Sequence, residues 1–237
     1  MDYFSQMLSS LKELIRIPSV KAPKEEGAPY GKDIKRALDY MLALGEKMGF
    51  TVKNVDDRAC HIEWGEGEEL FGILAHLDVV PAGDGWVHEP FGAEEEDGYI
   101  YGRGMQDDKG PAVAVLYAMY ELKEQGFKPN KRVRLILGCD EESGWSCIDH
   151  YFSKEEMPTS GFSPDGDFPI INREKGVAHF RITYPYQNGD NGFILKELSA
   201  GQRVNMVPDK ASCVYELGGR EHTLFFEGKS AHGSTPE

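Results

Sequence analysis

The chain has 237 residues, with 26 Lys and Arg against 40 Asp and Glu, for a formal charge of −14. Its hydrophobic content of 40% supplies enough apolar material for a sizeable core, in one large domain or two smaller ones. Mean hydropathy is −0.47 and no apolar run reaches 18 residues, which argues against a membrane partner, and the scattered basic residues argue against nucleic acid.

The first residues, Met1-Asp2-Tyr3-Phe4, lack the basic-then-apolar pattern of a secretory signal. Four cysteines (Cys60, Cys139, Cys147, Cys213) form no C-x-x-C pair, so reduced thiols in a cytoplasm are the simplest expectation. Phe4, Met7, Leu8, Leu11, Leu14 and Ile15 recur at helical spacing, predicting a helix over Tyr3 to Ile17 that Pro18 closes. Residues 21–30 read as a loop. A second amphipathic helix is expected from Gly31 to Met48, with Gly49 as its stop.

Thr51–Val55 and Cys60–Trp64 alternate apolar and polar, as half-buried strands do. Leu70–Ala75 is a more continuous apolar run, as in a strand covered on both faces. Pro81 to Gly98 reads as a long connection, containing Glu94-Glu95-Glu96. A helix is expected to open at Pro111 and run to about Gln125, where Gly126 ends it. Val133–Leu137 reads as a buried strand, Cys147–Phe152 as a helix, and Phe162-Ser163-Pro164-Asp165 as another strand end. From Gly176 the texture changes to strands such as Val177–Ile182 and Val214–Leu217. A domain boundary is therefore expected near Glu174 to Gly176, separating residues 1–175 from 176–237.

Helices alternating with buried strands indicate an α/β layered domain, and sites in such sheets collect at the carboxyl ends of strands. The unusual polar residues of this chain fall there. His76-Leu77-Asp78 follows one strand, Asp140-Glu141-Glu142 follows another, and Asp165 follows a third. Each has a plain structural account: a hydrogen-bonded histidine, a solvated acidic loop, a turn, or, for Asp107-Asp108, a cap for the next helix. Imidazole and carboxylates in one place also suit a divalent first-row metal, and a carboxylate can be shared between two ions.

The succession His76-Leu77-Asp78-Val79-Val80-Pro81, Tyr101-Gly102-Arg103-Gly104-Met105-Gln106-Asp107-Asp108-Lys109-Gly110-Pro111, Asp140-Glu141-Glu142-Ser143-Gly144 and Ser163-Pro164-Asp165 resembles the dinuclear-zinc exopeptidase family. That family includes aminoacylase, glutamate carboxypeptidase, succinyl-diaminopimelate desuccinylase and bacterial dipeptidases. Gly83-Asp84-Gly85-Trp86, Pro90-Phe91 and Arg203-Val204-Asn205-Met206-Val207-Pro208 are most similar to PepV-type dipeptidases.

The resemblance implies an α/β sandwich catalytic domain, incomplete in this chain, followed by the start of an α+β lid domain. It implies two divalent ions, zinc first and manganese or cobalt as alternatives. His76 and Asp165 would hold one ion, Glu142 the other, and Asp107 would bridge them. Glu141 would be the general base, and Asp78 would hydrogen-bond the far nitrogen of His76. His232, in Gly228-Lys229-Ser230-Ala231-His232-Gly233-Ser234, would stabilise the oxyanion, and Asn205 would touch substrate. The implied reaction is hydrolysis of small dipeptides, with N-acyl amino acid deacylation or metal binding without turnover as the alternatives. The family pattern supplies one more metal-binding His, with no counterpart after His232. The chain is therefore expected to be inactive alone, with uncovered surfaces that favour association.

Overall fold

The computed structural model describes residues 2–167, 169–173, 176, 178–187, 192–201, 204 and 206–233, with only the backbone of His232. The chain divides into two compact units, Met1–Ile171 and Asn172–Glu237.

In the first unit, helix α1 (Tyr3–Ile15) is capped by Asp2, whose carboxylate accepts the Ser5 amide at 2.7 Å. It ends two residues short of the expected Ile17. Pro18 disfavours helical backbone in the residue before it, and Ile17 N–H turns back to Leu14 O. Helix α2 (Lys32–Lys47) lies within the expected span, and Gly49 follows it in the left-handed conformation (φ 74°). Strands β1 (Thr51–Val55), β2 (Ala59–Trp64) and β3 (Leu70–His76) come next.

The connection after β3 contains a hairpin that its composition hides. β4 (Glu94–Glu96) pairs antiparallel with β5 (Tyr99–Tyr101) around Asp97-Gly98, both at positive φ. Asp-Gly is a strong hairpin signal, but three glutamates have poor strand propensity. Helix α3 (Lys109–Glu124) starts two residues before the expected Pro111, which still lies in the first turn, where a missing N–H costs nothing. Strand β6 (Arg132–Gly138), helix α4 (Ser146–Phe152) and strand β7 (Ser160–Phe162) complete the unit.

Five strands form one mixed sheet in the order β1-β2-β6-β3-β7. The first two pairings are antiparallel, and β6-β3 and β3-β7 are parallel. Leu11, Leu14 and Ile15 of α1, Ile34, Leu38 and Met41 of α2, and Ala112, Val113 and Leu116 of α3 share one core with Ile62, Ile73, Leu135 and Leu137 of the sheet. The register decides where the polar residues go. His76 pairs with Gly138, so the segments after β3 and β6 emerge side by side. Phe162 pairs with Ile73, so Asp165, three residues on, comes out near the end of β3.

In the second unit, β8 (Phe193–Ala200), β10 (Lys210–Leu217) and β11 (Arg220–Glu227) form an antiparallel sheet in the order β11-β10-β8. Gly218-Gly219, both at positive φ, make the β10–β11 turn. β9 (Met206–Val207) pairs with β12 (Ala231–His232). The strand expected over Val177–Ile182 is not formed: residues 178–182 carry no pairing, and Val177 lies outside the described residues. Phe180 and Ile182 are exposed. Alternation supplies a face, but a strand also needs a partner, and the sheet is built from segments further along the chain.

Candidate metal centre

His76, the last residue of β3, is 2% exposed. Its Nδ1 lies 2.8 Å from the backbone oxygen of Asp78. A carbonyl can only accept, so Nδ1 carries a proton and Nε2 faces the cluster. Nε2 is 2.9 Å from Asp107 Oδ1, 3.5 Å from Asp165 Oδ2 and 3.9 Å from Glu141 Oε2. Ligand atoms of His76, Asp107 and Asp165 all lie within 4.8 Å of one another. The register of β3, β6 and β7 thus brings together residues up to 89 positions apart in sequence (76 to 165).

Asp78 is wholly buried, and its contacts differ from those expected. Its carboxylate stands 3.6 Å from His76 Nδ1, beyond a hydrogen bond, and the backbone oxygen holds the ring instead. The carboxylate accepts the amides of Glu141 and Glu142, each at 3.1 Å. Those two glutamates sit in a turn after β6, so turn geometry rather than strand alternation directs their side chains. Asp140 is buried and paired with Lys21 at 2.6 Å, and it also accepts from Ser146. Of the three adjacent acids, one is therefore neutralised by a cation within the chain.

The capping account of Asp107-Asp108 does not hold. Asp108 stands at the N-terminus of α3 but makes no side-chain cap bond. Its Oδ2 accepts the His76 amide at 3.0 Å, while Oδ1 is buried with no hydrogen-bond partner among the described residues. Lys109, fully buried, donates to the carbonyls of Leu14 and Ile17 at the end of α1. Sequence reasoning missed both roles. Adjacent charges at a helix start look like a solvated cap, and burial of Lys109 depends on where α1 packs.

The electrostatics are those of a site short of positive charge. Burial works against protonated His76, but the neighbouring carboxylates of Asp107, Asp165 and Asp78 outweigh it and raise its pKa. The bond from His76 holds the Asp107 carboxyl below its ordinary value. Burial pushes Glu141 up, with Asp165, Asp78 and Asp107 adding to it. Burial, and then the charge of Asp107, raise Glu142 to about 7. Burial likewise lifts Asp108 to about 7. Protons serve here where a cation could. One imidazole nitrogen and converging carboxylate oxygens fit a divalent metal ion. Glu142 is not part of the three-residue group. Asn205 and the side chain of His232 lie outside the described residues.

Residues 72–220 match the family model described as peptidase family M20/M25/M40. The chain belongs to this peptidase family. It is 48% identical over 222 residues to a Bacillus subtilis (strain 168) protein named "Putative dipeptidase YtjP", covering 92% of this chain and 48% of that protein. A Staphylococcus epidermidis protein named "Putative dipeptidase" is 44% identical over 216 residues, covering 89% of this chain and 46% of its own length. The chain spans about half the length of these curated relatives.

Among solved structures, an M20 family metallo-carboxypeptidase, Sso-CP2 from Sulfolobus solfataricus, superimposes with a TM-score of 0.59 at 27% identity. That match covers 70% of this chain and 38% of the other. Human carnosine dipeptidase 1 shares the fold, with a TM-score of 0.55 at 24% identity over 63% of this chain and 35% of its own. Both support the mixed α/β architecture of the M20 catalytic domain. Among the described residues, no helix is long and apolar enough to cross a membrane.

Proposed function

We propose that the cluster at the ends of β3, β6 and β7 serves metal-dependent hydrolysis of the peptide bond of dipeptides. The observation that carries this reading is the convergence of Asp107, Asp165 and Glu141 on His76 Nε2, all within 3.9 Å. His76 and Asp165 would hold one divalent ion and Glu142 a second, with Asp107 shared. The donor set favours zinc, and manganese and cobalt also suit it. Bound ions supply Lewis-acid chemistry, polarising the scissile carbonyl and lowering the pKa of water.

The chain's own residues account for the rest. Glu141 takes the proton of the attacking water and delivers it to the leaving amine. Its half-buried position and raised pKa suit a group that must both accept and release a proton. The Asp78 backbone oxygen keeps His76 in the tautomer that leaves Nε2 for a ligand. His232 as oxyanion donor and Asn205 as substrate contact rest on their motifs alone. Among the described residues we assign Asp107 and Glu142 to the second ion, fewer ligands than a zinc site takes, so we expect slow turnover of dipeptides, or none, without further ligands. The free thiols of Cys60, Cys139, Cys147 and Cys213 support a cytoplasmic location.

The test is a panel of unblocked dipeptides against N-acyl amino acids, using a protein that carries this chain together with the remaining length found in its relatives. Dipeptide turnover that Glu141→Gln lowers about 10²–10⁴-fold, with metal binding retained, is the expected result. Preference for N-acyl amino acids would make the protein a deacylase, and metal binding without turnover of either class would overturn the enzymatic reading.

A further inference from the structure

We propose that a cleft between α2 and the α1–α3 pair binds a small zwitterion with a large apolar side chain, an amino acid or a short peptide, at a site separate from the metal centre. α1 packs on α3, whereas α2 packs on β1 and β2, and a cleft of about 360 Å³ opens between them. That volume lies in the range of small-molecule sites. α3 begins at Lys109, beside Asp107, and the cleft meets it at Tyr117 and Tyr120, eight and eleven residues on, which is about 12–16 Å along the helix.

Three helix faces build the cleft. α1 presents Gln6, Ser9, Ser10 and Glu13, a polar stripe at helical spacing. α2 presents Tyr40, Ala43, Leu44 and Lys47 at the same spacing. α3 adds Tyr117 and Tyr120, whose rings meet edge-on with centroids 6.5 Å apart. Hydroxyl bonds fix the walls. The Tyr117 hydroxyl donates to Gln6 O at 3.1 Å and accepts from the Ser10 hydroxyl at 2.8 Å. The Tyr40 hydroxyl, 3.0 Å from Ser10 O and 3.1 Å from Glu13 Oε2, ties α2 to α1. The cleft is therefore preformed, which lowers the ordering cost of binding.

The charges define the ligand. Glu13 on α1 and Lys47 on α2 line one cleft, yet neither has an ion-pair partner among the described residues, each other included. A ligand carrying both an ammonium and a carboxylate supplies the missing partner to each. The tyrosine rings, with Leu44 and Met48, then take an apolar side chain. A simple cation or anion would satisfy one wall only. None of the residues assigned to hydrolysis lines the cleft.

The experiment is an NMR titration of the metal-free protein, read from the ring signals of ¹³C-labelled tyrosine, so that neither metal binding nor turnover enters the result. L-Phenylalanine and glycyl-L-phenylalanine are the probes, and the tighter of the two distinguishes an amino acid from a peptide. Saturable shifts of Tyr40, Tyr117 and Tyr120 with a Kd of about 1 mM are expected for at least one probe. Glu13→Gln should weaken that binding about two- to fivefold, yet leave unchanged the weaker binding of the N-acetyl form of the same probe, which lacks the ammonium. Lys47→Gln should act likewise, sparing the amide of the probe, which lacks the carboxylate. Both residues are exposed, so the substitutions leave the core untouched. Tyrosine signals that move with neither probe, or blocked probes that bind the unmodified protein as tightly as the free ones, would overturn the proposal. So would variants that bind the free probe with unchanged affinity.

Discussion

His61 offers a quantitative test of how the fold supports the site. It lies on β2, 4% exposed, with Nδ1 2.7 Å from the Tyr151 hydroxyl and its ring edge-on to that of Tyr151. Tyr151 belongs to α4, the helix that follows the Glu141–Glu142 turn, and it also accepts from Arg134 at 3.3 Å. Burial, and then the charge of Arg134, lower the His61 pKa from 6.5 to about 4. The native protein therefore keeps the ring neutral where the unfolded chain protonates it. Stability from this group is complete above pH 6.5 and is lost as pH falls from 6.5 towards 4. The full difference is about 3 kcal/mol, most of which has gone by pH 4.5 relative to pH 8.

Urea denaturation of the unmodified protein and of His61→Gln at pH 8 and pH 4.5 isolates this contribution, since other titrations are common to both. The variant should be less stable by about 1–2 kcal/mol at pH 8, through lost packing. It should then lose about 2–3 kcal/mol less than the unmodified protein on going to pH 4.5, reversing the order. Parallel pH dependences for the two proteins would refute the reasoning.

Two further outcomes follow from the site. An added methyl at Gly161 would meet the backbone oxygen of Gly72 at 2.0 Å, so Gly161→Ala must push β7 away from β3. Calorimetry should show a loss of about 1–3 kcal/mol in stability and weaker metal binding, because Asp165 hangs from β7, whereas unaltered metal affinity would contradict that linkage. Metal uptake at pH 6–7 should release protons, since the cluster raises the His76 pKa and holds Glu142 and Asp108 at about 7. Calorimetric titrations in buffers of different ionisation enthalpy read this directly, and binding without proton release would show that the protons are not there.

Much of the first unit was legible because its signals are local. The apolar spacing of α1 and α2, Gly49 beyond α2, and the continuous run of β3 all report on neighbours within a few turns of chain. The register of β3 against β6 and β7 was not legible, because it depends on contacts made across the fold. The same limit hid β8 and β11 and made Val177–Ile182 look like a strand.

The site divides the same way. His76, Asp107, Glu141, Glu142 and Asp165 carry a motif resemblance that names them. The structure draws His76, Asp107 and Asp165 into one cluster, with Glu141 beside it. No pattern in the sequence could show that Asp140 belongs to Lys21, that Lys109 is sunk against the end of α1, or that the Asp78 carboxylate reaches the turn rather than the ring. Each depends on which buried donor lies nearest once the sheet has closed.

The most direct test of the central claim is anomalous scattering at the zinc edge from crystals of the protein grown with zinc. The account predicts a peak about 2.0–2.2 Å from His76 Nε2 and from carboxylate oxygens of Asp107 and Asp165. A map with zinc bound elsewhere and nothing at these three residues would contradict it.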